Sequence, residues 1–243
     1  SLPPTSSVDA EAMAEANFAS SDRAKIASAS LAGGQPYEEV FRSVEKLDAY
    51  AMSFDDLEVF KAHGYAEEDI GKLSTYGSVL HHGVPLLFQA IADRAYAGDL
   101  RAAVDGKVFL DLGSAEGRCV ISAALHFCRA SAEGSDEPPP MLKRAVGVEL
   151  STLRHGLALK YRERLAEAAA RERVQLVQDD ILSPGTAELL AEADVVYAAN
   201  LRFPGEVNQR LGAHVAASLD PARDCFVLEL APLSFPGRVP AAR

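Results

Sequence analysis

Three acids in this chain close apolar runs, where a carboxylate is available for chemistry. Asp111 sits in Val108-Phe109-Leu110-Asp111-Leu112, just before Gly113-Ser114-Ala115-Glu116-Gly117. Glu149 ends Ala145-Val146-Gly147-Val148-Glu149, and Asp179-Asp180 end Val174-Gln175-Leu176-Val177-Gln178. A charge so placed is costly unless it finds partners. Asp111 can orient the amides of the turn that follows, or pair with a ligand's ammonium group. Glu149 can accept two ribose hydroxyls, at ~1.5–3 kcal/mol for each charge-assisted bond, or cap a helix opening near Thr152. Asp180 can accept the exocyclic amine of an adenine while Ile181 covers the ring face; helix capping by the aspartates or Ser183 is the competing role. Gly113 and Gly117 let backbone come close to a ligand, or serve only the sterics of the turn.

A fourth run ends in Tyr197-Ala198-Ala199-Asn200-Leu201-Arg202-Phe203-Pro204-Gly205. Asn200 offers an amide where a donor and an acceptor group would meet, and Phe203 and Leu201 offer apolar walls. Asn followed by Pro-Gly is equally good turn chemistry. Cys119 falls near a helix start, either as an activated thiol or as a buried core thiol. Cys119, Cys128 and Cys225 have unrelated spacings, which excludes a metal or redox motif and points to a reducing compartment.

The elements that position these residues alternate. Strands are expected at Val108–Leu112, Ala145–Glu149, Val174–Gln178, Asp194–Ala198 and Cys225–Leu230. Helices are expected at Gly117–Arg129, Thr152–Arg171, Gly185–Ala191 and Gly205–Leu219. Continuous apolar strands separated by helices indicate an α/β, Rossmann-like parallel sheet covered on both faces. Residues 74–243 form that domain. Residues 1–73 form an N-terminal region, disordered at first and then helical, with helices around Pro36–Met52 and Phe54–His63 and an N-cap at Asp55 or Ser53. Val84–Ala97 reads as a further helix with Leu87, Ala90, Ile91 and Ala95 on one face. Ser131–Pro140, with three consecutive prolines, reads as a flexible loop.

This sheet suits a nucleotide-like cofactor lying across the carboxyl ends of its strands. A third-strand acid followed by an apolar residue points to the adenosine of S-adenosyl-L-methionine. A nicotinamide-dependent oxidoreductase would use the same early motifs but leave Asp180 and Asn200 without a task.

The formal net charge of −11 argues against strong direct binding of nucleic acid, which needs a basic face. Arg154, Lys160, Arg162, Arg164, Arg171 and Arg173 alternate with Glu163, Glu167 and Glu172, as on a solvated helix face. No apolar run approaches the ~20 residues that span a bilayer, so no membrane partner is expected. The N-terminus has no secretion signal and no initiator Met, as in a piece of a longer protein.

Together these residues resemble the catalytic domain of the disruptor-of-telomeric-silencing type of histone-lysine methyltransferase. The resemblance covers roughly Tyr76 to Leu233. It rests on Tyr76-Gly77, Asp111 to Ser114, Gly147 to Glu149, Asp180 to Ser183 and Ala231-Pro232-Leu233, and above all on Asn200 to Val207 with Gln209 and Leu211. The chain departs from the family pattern at Ser78, Ala115, Arg118 and Ala199. The resemblance implies a class I, non-SET fold and transfer of a methyl group from S-adenosyl-L-methionine to a lysine of the histone H3 lysine-79 type. It further implies nucleosomal histone H3 as partner and a nuclear location, with the cytoplasm as the alternative. Tyr76, Asp111, Gly113, Gly117, Glu149, Asp180 and Ile181 would hold the cofactor, and Asn200 and Phe203 would line the point of transfer. The family fold has two further strands after the fifth, for which the short tail from Leu230 to Arg243 leaves little chain. A catalytically silent cofactor-binding module is the reading in which those strands are lost.

Overall fold

The computed structural model describes residues 37–41, 54–73, 83–128 and 139–233. Its centre is the apolar run that leads into Gly113. Val108–Leu112 forms β1, buried at every position, and both its neighbours run parallel to it. β2 (Arg144–Glu149) pairs on one side and β4 (Val195–Ala198) on the other, with β3 (Val174–Gln178) beyond β2 and β5 (Phe226–Glu229) beyond β4. The order is β3-β2-β1-β4-β5. These five strands are the five that the apolar runs predicted.

Alternation along β1 divides the core in two. Val108, Leu110 and Leu112 join Val146, Val148, Val196, Leu190, Leu211 and Val215 on one face. Phe109 joins Ala145, Tyr197, Phe88, Val120 and Leu157 on the other. The first face is covered by α9 (Pro184–Glu192) and α10 (Gly205–Ser218). The second is covered by α4 (Gly83–Ala95), α6 (Arg118–Phe127) and α7 (Thr152–Glu163), after the short α5 (Leu100–Val104). Apolar strands of this kind persist only between two covered faces. Because the connections part in opposite directions at β1, a crevice opens at the carboxyl ends of the strands there.

Before the sheet come α1 (Tyr37–Val40), α2 (Phe54–Ala62) and α3 (Glu67–Leu73). Phe60, Tyr65, Ile70 and Leu73 from α2, α3 and their connection bury against Leu150 and Val207. Asp56 of α2 accepts a hydrogen bond from the Leu153 N–H at 3.3 Å, at the start of α7. The N-terminal region thus contributes directly to the wall beside the β2–α7 turn.

Two expectations change. The helix expected over Thr152–Arg171 breaks after Glu163, and α8 (Ala168–Arg173) begins a new axis. The break lets Leu165 drop into the core, and arginines tie it down: Arg171 donates to the Leu165 carbonyl at 2.6 Å and Arg162 to the Arg171 carbonyl at 3.2 Å. Arg164 donates to the Val40 carbonyl, and Arg173 to those of Leu142 and Lys143. Four of the six basic residues, Arg162, Arg164, Arg171 and Arg173, are therefore loop staples, while Lys160 is exposed as expected of a solvated face. Ser53, most of the helix expected over Pro36–Met52, the Tyr76-Gly77 loop, Ser78 and nearly all of Ser131–Pro140 lie outside the described residues; Asp55 lies within α2.

Close packing of the first turn on β2 depends on one glycine. A Cβ on Gly147 would lie 2.6 Å from Ser114 Oγ and 2.9 Å from Val120 Cγ2. Both neighbours are buried, so neither can move cheaply. Gly147→Ala should destabilise the fold by about 1–3 kcal/mol, read as a lower midpoint in chemical denaturation with an unchanged slope. A midpoint equal to wild type would contradict this packing.

Candidate functional site

The turn after β1 is built on alternating left-handed residues. Gly113, Ala115 and Gly117 have φ of 77°, 49° and 74°. Gly113 and Ser114 both donate their N–H to the Val148 carbonyl at 2.9 Å, which folds the turn across the end of β2. Glycine accepts such angles freely, whereas an alanine there costs about 1–2 kcal/mol. Ala115 is held in place by its N–H, which donates to Glu149 Oε2 at 2.8 Å. Glu149 Oε1 accepts from the Ser151 N–H, also at 2.8 Å. One buried carboxylate therefore joins the β1 turn to the β2 turn. The helix-capping alternative falls instead to Ser151, whose side chain accepts from the Arg154 N–H.

These turns open onto a cleft whose empty space, counted out to solvent, is about 810 Å³. Asp111, Gly113, Glu149, Asp180, Ile181 and Phe203 all line it, so the structure brings six of the expected site residues together. Phe203 stands across from the first turn, with its Cζ 3.3 Å from where a Gly113 Cβ would lie. Asp179 and Asp180 divide the two roles weighed for them. Asp179 accepts from the Ser183 hydroxyl at 2.5 Å, and that hydroxyl caps α9 by accepting from the Thr186 N–H. Asp180 faces the cleft.

Three expected residues stand elsewhere. Tyr76 lies outside the described residues. Gly117 is not in the lining; a Cβ there would lie 3.0 Å from the Ala158 Cβ, so its task is the backbone angle and the approach of α7. Asn200 is fully buried and its amide is spent within the protein. Its Nδ2 donates to Asn208 Oδ1 and the Ala231 carbonyl, and its Oδ1 accepts from the Leu230 and Ala231 N–H groups at 3.0 Å. The turn alternative describes this residue: it ties the end of β4 to the segment after β5, and so positions Phe203.

The cleft is lined by more charge than the strand ends alone suggested. Glu116 is buried and ion-paired with Arg118, whose guanidinium lies 5.1 Å over the Phe41 ring. Its Oε2 has no partner among the described residues. Arg154 is a buried cation in the lining, where Arg118 is only half-buried. Asp111 accepts no hydrogen bond from any described residue, although it is only 3% exposed. Burial, and then the charge of Glu149, push its carboxyl up to about 8. Burial also raises Glu149, against the opposing pull of Arg154 and the two N–H donors. On β4, in register with Asp111, Tyr197 has its phenol raised by burial and by the Asp111 charge. Cys119 is likewise raised well above the ordinary thiol range by burial. This removes the activated-thiol reading, because a buried thiol beside a carboxylate gains nothing by ionising.

Sequence reasoning missed Phe60, Tyr65, Leu73, Glu116, Arg154 and Tyr197. For the two charged residues, a signal existed in their nearness to Gly117 and Thr152. For the N-terminal three, nothing in the sequence tied them to a strand end far along the chain. No group of His, Cys, Asp and Glu among the described residues could hold a metal ion.

No protein-family profile and no curated protein matches this chain. Solved structures align with part of this chain. The YcgJ protein of Bacillus subtilis aligns over 58% of this chain and 47% of its own, at 16% identity and a TM-score of 0.39. Magnesium protoporphyrin IX methyltransferase of Synechocystis PCC 6803, with bound S-adenosylmethionine, aligns over 70% and 74%, at 15% identity and a TM-score of 0.39. The glycopeptide N-methyltransferase MtfA, also complexed with S-adenosylmethionine, aligns over 57% and 51%, at 21% identity and a TM-score of 0.39. The chain thus spans about half the length of the YcgJ and MtfA chains.

An unpaired buried acid leaves a signature in stability. Because the folded protein holds the Asp111 proton more tightly than the unfolded chain does, this group favours folding most below pH ~4, and that advantage is lost as pH rises toward 8. Asp111→Asn should flatten this fall and raise the melting temperature at pH 8 by roughly 5 °C. Thermal melts of both proteins across pH 4–9 check it; parallel curves would show that Asp111 is not so buried.

Proposed function

We propose that this chain is an S-adenosyl-L-methionine-dependent methyltransferase. The observation that carries the proposal is the set of buried carboxylates at the ends of three adjacent strands, Asp111, Glu149 and Asp180, all facing one cleft. An ammonium group suits Asp111, which has no donor among the described residues. Arg118, at the same end, suits a carboxylate tail. Glu149 uses one site on each oxygen for backbone N–H groups, which leaves acceptor capacity for two vicinal hydroxyls. Asp180 and Ile181 suit an amine-bearing ring. A dinucleotide would instead bring its pyrophosphate against Asp111 and Glu116, two acids, which disfavours the nicotinamide-dependent reading.

When bound, the cofactor supplies a methyl group on a positive sulfonium, an already activated donor. The chain's own residues then bind, align and exclude water. Phe203, Tyr197 and Ala199 form the wall nearest the β4 end, where an acceptor nucleophile would approach. Alignment of this kind supplies roughly 7–11 kcal/mol toward a barrier.

The finer reading is that the acceptor is the side-chain amine of a protein lysine, of the histone H3 lysine-79 type, with nucleosomal histone H3 as partner and the nucleus as location. Its support is the resemblance of Asn200–Val207 and Ala231-Pro232-Leu233 to that family. The net charge of −11 means that contact with nucleosomal DNA would need basic segments beyond this chain.

Calorimetric titration with S-adenosylhomocysteine tests the cofactor. The wild-type protein should bind with micromolar affinity. Glu149→Ala, which removes two charge-assisted bonds, should weaken binding by about 100-fold while a thermal melt shows that it still folds. Absence of binding by folded wild-type protein would sink the proposal. If binding holds, methyl transfer to nucleosomes, free histone H3 and non-histone proteins tests the acceptor.

A further inference from the structure

Asp180 has one oxygen engaged and one oxygen free. Its Oδ1 accepts from the Tyr65 hydroxyl at 2.8 Å and from the Leu182 N–H at 2.9 Å. No described residue donates to Oδ2, although Asp180 is only 7% exposed and lines the cleft. The two side chains meet across 115 positions of sequence. Tyr65 reaches the cleft from the connection between α2 and α3, with its ring centroid 5.7 Å from that of Phe60. Both rings line the cleft, together with Leu73 and Ile181. Burial, and then the charge of Asp180, keep the Tyr65 phenol protonated across the physiological range, so it acts there as a donor.

Phe60, Leu73 and Ile181 give apolar wall to the cleft that Asp180 lines, and Oδ2 is the oxygen of that carboxylate with no described donor. A free carboxylate can rotate, or can take up a water and so present a donor to whatever ligand arrives. A carboxylate held on one oxygen by a buried phenol and a backbone N–H cannot rotate away. Its other oxygen is then acceptor only. A ring amine satisfies it; a ring carbonyl would set oxygen against oxygen and leave two buried acceptors unpaired.

We propose that Tyr65 is a specificity-determining positioning residue: by holding Asp180 Oδ1 it fixes Oδ2 in the cleft as the acceptor that admits an amino group, and rejects an oxo group, on the ligand's heteroaromatic ring. The inference rests on the cofactor reading above and adds to it a residue from the N-terminal region.

The test is titration of the full chain with S-adenosylhomocysteine and with S-inosylhomocysteine, which differ in that amino-for-oxo exchange and in the proton that the oxo form carries on N1. Wild type should prefer the amino ligand. Tyr65→Phe keeps the ring and loses the hydroxyl. It should lose affinity for the amino ligand on the order of tenfold, with little change for the oxo ligand, so that the preference shrinks. Asp180→Asn is an independent second variant. Its amide oxygen remains for Tyr65 and Leu182, which turns the NH2 group into the cleft and reverses the preference toward S-inosylhomocysteine. Adding Tyr65→Phe should weaken that reversal.

Equal losses for both ligands in Tyr65→Phe would reduce Tyr65 to a wall residue and overturn the inference. So would an unchanged preference in that variant, or no reversal in Asp180→Asn. Wild type that binds both ligands equally sinks this inference alone. Wild type that binds neither removes the cofactor reading, and the inference with it.

Discussion

A carboxylate removed from water must be given hydrogen bonds, and the site is organised around how Glu149 receives them. The N–H groups it accepts come from Ala115 and Ser151, one in each of the turns that bound the cleft. Without that bridge, Ala115 loses the hydrogen bond that offsets its left-handed angle, and only the Gly113 and Ser114 N–H groups hold the β1 turn to β2. Gly147 makes the bridge possible from behind, since only a residue with no side chain lets Ser114 and Val120 sit so close to the strand. The geometry that offers a ligand its hydroxyl acceptor is thus the geometry that keeps the turns together.

The other acids follow a different logic. Among the described residues, Asp111 faces the cleft with no donor, Glu116 with one oxygen unmatched, and Asp180 with a donor on one oxygen only. In a buried cleft each unmatched oxygen is unfavourable for folding. Such groups persist where a ligand supplies what the protein withholds, and they pull stability against function. Asn200 shows the converse. Every hydrogen-bonding site on its amide that the protein uses is matched from within, and it holds β4, β5 and the Phe203 turn in one arrangement.

Much of this was legible in the sequence wherever the information is local. Mostly apolar runs announced the strands, and the acids in or just after them announced the cleft, because a charge beside buried residues must find its partners at the strand end. Ser183 as the cap of α9 was likewise visible as a choice between neighbours. What stayed hidden was non-local. Tyr65 carries no mark of its link to Asp180. The α7–α8 break depends on arginines that find carbonyls across a loop, and a charge-alternating helix looks the same whether or not its axis bends. Asn200 was misplaced for the same reason, since its partners Leu230 and Ala231 come from the end of a strand thirty residues later.

The strand order also sets a sequence of assembly. β1, β2 and β3 are consecutive in the chain and adjacent in the sheet, so they can form from short-range crossovers. β4 must return to β1 from far along the chain; the Val108 N–H finds Asp194 Oδ2 at a separation of 86 residues. Closing so long a loop is entropically slow, and contacts of that range form late in folding. A chain caught before that step would already have Asp111 and Glu149 at neighbouring strand ends, but no Tyr197 beside them and no Phe203 opposite the turn. The cleft's far wall is therefore a product of the slowest pairing in the sheet.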